Sequence, residues 1–142
     1  YDTSNIQEFQ LESFSRDDGL KNAADILEKM PQIDAFYSMD DETSIGTILA
    51  MKEANRMECK AITGGGGCQE YFKIIASDEG KAIGAASALY SPAMIQDAIK
   101  VAIKLMNGEE AEPVIVIPTT IVNADNVAEY VEMYKANGQI TE

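Results

Sequence analysis

Residues 59–76 read CKAITGGGGCQEYFKIIA, and this stretch decides the fold. Cys59 to Thr63 is a short, apolar-rich run of strand length. It passes directly into Gly64-Gly65-Gly66-Gly67, and apolar residues then recur with helical spacing from Gln69 to Ala76. Strand, glycine turn and helix in immediate succession form the basic joint of an α/β architecture.

The same alternation extends both ways. Upstream, residues 6–12 (IQEFQLE) alternate polar and apolar, which predicts a strand. Ser15 followed by Arg16-Asp17-Asp18 has the pattern of an N-cap with acids in the first turn. Leu20, Ala23, Ala24, Leu27 and Met30 continue that helix to Pro31. Residues 33–39 (IDAFYSM) predict a buried strand, and Asp40 or Asp41 caps the helix that follows. Downstream, residues 83–89 (IGAASAL) predict a strand of small side chains, and Pro92 opens a helix carrying Ile95, Ala98, Ile99, Ala102, Ile103 and Met106. Asn107-Gly108 ends it. Residues 113–118 (PVIVIP) and 119–122 (TTIV) are extended, and a last amphipathic helix runs from Asn126 through Tyr134. Strands alternating with helices imply a parallel sheet with flanking helices. Ligands in such sheets bind beyond the carboxyl ends of the strands, so Phe14, Asp40, the tetraglycine and Tyr90 are expected along one sheet margin.

Composition narrows the function. The 142 residues suit one domain with a substantial core. The net charge of −13 opposes a nucleic-acid surface, which needs clustered cations. It also opposes docking on anionic lipid, and no apolar run reaches transmembrane length. With no histidine, Ser-His-Asp and Cys-His catalysis and imidazole metal sites are excluded. Cys59 and Cys68 form neither a CxxC pair nor a zinc framework and are read as reduced and structural. The first residue is Tyr1, so the chain is read as a processed or excised piece of something longer.

The candidate site residues each have a plainer alternative. Phe14 is either a core plug or a platform for the C–H face of a sugar ring. Asp40 and Asp41 either cap a helix or accept ligand hydroxyls, and with Glu42 they form a weaker candidate for magnesium. Gly64 to Gly67 lacks both GxGxxG and Gly-Lys-Ser/Thr, so close backbone approach or positive φ is preferred to phosphate binding. Gln69 can add an amide at the same place. Tyr90 either packs on its helix or stacks on a ligand.

In order and spacing, these residues resemble the C-terminal part of the ribose-type periplasmic sugar-binding proteins, the solute receptors of ABC importers. The resemblance is carried by Phe14-Ser15-Arg16 before Gly19-Leu20, by Ile33-Asp34-Ala35-Phe36, by Asp40-Asp41-Glu42 with Ile45-Gly46, by Tyr90-Ser91-Pro92 and by Asn107-Gly108-Glu109 before a Pro-flanked strand. It covers most of this chain and about half of a full receptor.

The resemblance implies a type I periplasmic binding fold, two α/β lobes closing on a sugar. It implies no enzyme activity and no cofactor, an extracytoplasmic or lipid-anchored location, and a membrane permease as partner. It implies a ligand site at Phe14, Asp40, Gly65, Gln69 and Tyr90, with no metal. Two positions depart from the family pattern: Gly65, where Asp is common, and Tyr90, where Gln is frequent. Arg16 is read as structural. Residues 1–112 are expected in the C-terminal lobe, and residues 113–142 as a crossover strand and helix of the other lobe. Strand edges left open by the missing parts imply self-association of the isolated chain. The ligand-sensing domain of a sugar-responsive LacI-type transcription regulator shares the fold and is the alternative; a metal-using enzyme built on Asp40, Asp41 and Glu42 is the remaining competitor.

Overall fold

In a computed structural model, residues 3–90, 94–136 and 138 are described. Helix α1 is Arg16–Lys29, strand β1 Ala35–Phe36, helix α2 Asp41–Glu53, strand β2 Ala61–Gly65 and helix α3 Gln69–Ala76. Then come helix α4 Asp78–Ala82, strand β3 Ala85–Leu89, helix α5 Met94–Met106, strand β4 Thr120–Val122 and helix α6 Val127–Ala136. The sheet order is β1-β2-β3-β4. The architecture is α/β with a mostly parallel sheet, as the alternating pattern predicts.

The helix starts follow from local chemistry. The Ser15 side chain accepts from the Asp18 amide at 3.2 Å, and Asp40 Oδ1 accepts from the Glu42 and Thr43 amides at 2.8 and 3.4 Å. Each cap satisfies donors that a helix leaves unpaired. Ser77 caps α4 in the same way. That helix was not foreseen, since residues 78–82 (DEGKA) are too few to show a period.

The core lies between α2, β2, β3 and α3, with Ile45, Ile48, Met51, Ile62, Phe72, Ile75 and Ile83 buried. Helix α1 lies against α2 backbone to backbone. A side chain at Gly46 would collide with the Arg16 carbonyl, and one at Gly19 with that of Thr43.

Two expectations are corrected. Residues 6–12 form no strand; they are irregular and almost wholly exposed. Alternation supplies the faces of a strand, but a strand exists only when a neighbour accepts its hydrogen bonds. The sheet is also not wholly parallel: β4 runs antiparallel to β3, with Thr120 opposite Leu89 and Val122 opposite Ser87. A parallel crossover needs its helix packed on the sheet, whereas α5 has no buried residue. The chain therefore returns to the sheet at the end from which it left. Residues 120–134 meet the earlier elements at two places. β4 pairs with β3, and Phe72 of α3 meets the rings of Tyr130 and Tyr134 on α6 at 6.1 and 5.6 Å. Strand limits also differ: residues 33–39 yield only Ala35–Phe36, and β2 extends into Gly64 and Gly65. Ser91 and Pro92, expected to open α5, lie outside the described residues.

Candidate functional site

The parallel strands end together, and three helices begin beside those ends. Arg16, at the start of α1, ties them to one another. Its Nε donates to Glu42 Oε2 at 3.0 Å, and its two Nη atoms donate to the two oxygens of Glu70 at 3.0 and 2.8 Å. Glu42 opens α2 and Glu70 opens α3, so one guanidinium gathers three helix N-termini. The forked geometry suits arginine and no other side chain. These hydrogen bonds raise the Arg16 pKa, the one from Glu70 most. The sequence reading of Arg16 as structural agrees with this placement.

Phe14, Asp40 and Gln69 each stand within two residues of that ion-pair cluster. Phe14 is 73% exposed and so does not plug the core. Asp40 uses Oδ1 as a cap. Gly65 ends β2, where a Cβ would lie 2.7 Å from the Met39 carbonyl oxygen. The glycine is thus required by packing against the chain after β1. Tyr90 follows β3, and its hydroxyl lies 3.7 Å from where a Cβ on Gly66 would be.

Asp41 is the residue that sequence reasoning left undivided from Asp40. It is 1% exposed. Its Oδ2 accepts from the amides of Gly67 and Cys68 at 2.8 and 2.7 Å, and Ser87 of β3 donates to Oδ1 at 2.7 Å. Three segments, after β1, after β2 and at β3, are pinned by this one carboxylate. Gly66 and Gly67 adopt φ of 114° and 87°, which turns the Gly67 and Cys68 amides toward it and which side-chain-bearing residues rarely adopt. Gly64 leaves room for the carboxylate itself, since a Cβ there would strike Asp41 Oδ1. Burial raises the Asp41 pKa, opposed by the bonds from Ser87, Cys68 and Gly67. Burial also raises both thiols, Cys59 and Cys68. With Asp41 turned inward and Asp40 on its own helix start, the two carboxylates do not face a common point. Among the described residues, no group of three or more Cys, Asp or Glu is placed to hold a metal ion.

Between these ends lies a cleft of about 270 Å³ lined by Tyr37, Ser38, Met39, Thr63, Gly64, Gly65, Ala86, Ser87, Ala88, Tyr90 and Ile121. Gly65 and Tyr90 were foreseen there; Phe14, Asp40 and Gln69 lie outside the lining. Tyr37 and Met39 were missed because they fall inside the apolar run assigned to a strand. Their signal is that the strand stops at Phe36, leaving two large side chains exposed beyond it. Ile121 was beyond reach of the sequence, because only the antiparallel return brings it to this end.

No protein-family model and no curated protein sequence matches the chain. Solved structures do. An ABC transporter solute-binding protein from Agrobacterium vitis with bound allitol superposes with a TM-score of 0.78 at 23% identity, over 91% of this chain and 45% of that one. The arabinose-transporter periplasmic binding protein of Shewanella sp. ANA-3, bound to L-arabinofuranose, gives 0.76 at 21%, over 94% and 44%. A Mycobacterium smegmatis solute-binding protein with bound glycerol gives 0.74 at 27%, over 84% and 40%. The chain folds like part of a type I periplasmic binding protein; these three neighbours are binding proteins of ABC transporters, and another similar structure is the fructose-binding periplasmic domain of a hybrid two-component system. The chain spans 40–45% of the length of the first three.

Proposed function

We propose that this chain is part of the solute-binding component of a carbohydrate ABC importer, binding a sugar or polyol in a cleft between lobes without chemical turnover. The observation that carries the reading is the Arg16–Glu42–Glu70 cluster, which joins the three helix starts next to which Phe14, Asp40 and Gln69 stand in the chain, together with the cleft bearing Gly65 and Tyr90. An exposed aromatic ring and planar polar acceptors suit the alternating C–H and O–H faces of a polyol. The neighbours holding allitol, arabinofuranose and glycerol support the same class.

In this reading a second lobe meets this one across the cleft, and the ligand stabilises the closed form by its greater affinity for it. The closed form is what a membrane permease recognises, and the protein works outside the cytoplasm, free or lipid-anchored. Among the described residues no helix is long and apolar enough to cross a membrane. The exposed face of α5 and residues 114–117 are where the second lobe contacts this chain. Standing alone, the chain self-associates through that face; sedimentation as a clean monomer counts against this.

Calorimetric titration of the full-length protein against sugars and polyols tests the function. Saturable binding of one of them, unchanged by chelator and without turnover, is expected. No sugar binding together with tight binding of an amino acid or a nucleotide overturns the proposal. A helix-turn-helix preceding this segment in the full-length protein turns the reading to the regulator alternative.

A further inference from the structure

We infer that the cleft at the carboxyl ends of β2 and β3 receives an apolar portion of its ligand, so that the preferred solute is a sugar bearing an aryl, O-alkyl or deoxy group. This inference rests on the sugar-binding reading and specifies its ligand.

The cleft presents few unengaged polar groups to a ligand. None of the lining side chains is charged. Its serine and threonine hydroxyls are already engaged, which leaves those of Tyr37 and Tyr90, both on exposed side chains, as the open ones. Ser87 Oγ donates to Asp41. Thr63 Oγ1 donates to the Ser38 carbonyl at 3.0 Å and accepts from the Ser38 amide at 3.1 Å. Ser38 Oγ bonds the Asp40 carbonyl at 3.0 Å and also meets the Thr43 hydroxyl. Two of the nearby carbonyls are engaged as well: Thr63 accepts from Ser44 Oγ at 2.6 Å, and Ala88 from the Gly66 amide at 3.1 Å. At Gly65 the approach of the Met39 carbonyl leaves no space for a polar side chain.

The rest of the lining is apolar or aromatic. Gly64, Gly65, Ala86 and Ala88 lie among larger side chains that remain exposed: Tyr37 at 83%, Met39 at 72%, with Tyr90 and Ile121 about half exposed. A sugar hydroxyl pressed against this lining gives up water and finds a partner only at the Tyr37 and Tyr90 hydroxyls, whereas a methyl or phenyl group gains by leaving water. The adaptable Met39 thioether and the two tyrosine rings suit an aryl or alkyl group in particular. A cleft of about 270 Å³ is large enough for such a substituent, with the hydroxylated face left toward Phe14 and Asp40.

Saturation-transfer NMR on the full-length protein, with phenyl β-D-glucoside and D-glucose as separate probes, tests this. The phenyl glycoside is expected to bind at least about tenfold more tightly, with its aryl protons receiving the strongest transfer. A Tyr90→Gln variant, changed at a half-exposed position, is expected to lose most of that preference. D-glucose binding as tightly as the glycoside, or transfer confined to sugar-ring protons, overturns the inference and leaves the sugar-binding reading intact. Failure of both probes and of allitol to bind overturns both readings.

Discussion

Helices α2 and α5 have 13 residues each, and they contrast sharply. Nine residues of α2 are buried, including Asp41, Thr43 and Ser44, and its composition shows almost no sidedness. Helix α5 carries an unbroken stripe of Ile95, Ala98, Ile99, Ala102, Ile103 and Met106, yet none of its residues is buried. Residues 114–117, which follow it, are exposed as well. A surface helix shows one apolar stripe because one side is to be covered; a helix enclosed on several sides needs small residues and satisfied hydroxyls instead. The stripe therefore says that α5 has something to face, and the structure shows that residues 16–90 are not it.

The contrast can be broken most severely at Asp41. Asp41→Ala strands the amides of Gly67 and Cys68 and the Ser87 hydroxyl, and is expected to cost about 3–5 kcal/mol, read from urea denaturation. A loss under 1 kcal/mol would show that the glycine loop is held by something else.

Ile48→Ala in α2 empties a site only 1% exposed and is expected to cost about 3 kcal/mol. Gly46→Ala pushes a methyl against the Arg16 carbonyl and is expected to cost about 2 kcal/mol, with α1 the first element to lose amide protection in hydrogen exchange.

Asp41→Asn probes the buried charge with less damage. The Asp41 pKa lies above its ordinary 3.8 in the folded state because burial disfavours the anion. The folded state then holds its proton to higher pH than the unfolded chain. Wild-type stability relative to Asp41→Asn is expected to be greatest below 3.8 and to fall as pH rises through the folded-state pKa. A difference that grows with pH would reverse the sign and refute the assignment.

The smallest effect is expected at Ile99, 52% exposed, where Ile99→Ala shifts the stability of the 142-residue chain by less than about 0.5 kcal/mol. In a full-length protein with α5 covered, the same substitution is expected to approach the Ile48 value. Equal small effects in both settings would show that the stripe faces water.

The local signals around the candidate site were legible, and of the five residues expected there only Gly65 and Tyr90 line the cleft. Ser15 and the Asp40-Asp41 pair announce helix caps, and Gly64 to Gly67 announces a turn after a strand. Those signals are local, because a cap or a positive φ is decided within four residues. The division of labour between Asp40 and Asp41 was not legible. Two adjacent carboxylates differ only in which way the first helical turn points them, and the partners of Asp41 come from residues 67, 68 and 87. Tyr37 and Met39 were hidden for a related reason: where a strand ends depends on where its neighbour stops pairing.

By itself the sequence determined the α/β alternation, the starts of α1, α2 and α3 and the turn after β2, since periodicity, caps and glycines act over a few residues. Only the tertiary structure decided the direction of β4, the burial of Asp41, the failure of residues 6–12 to form a strand and the bareness of α5. Each of these depends on a partner distant in the chain, and hydrogen bonds and apolar contacts are complete only when that partner arrives.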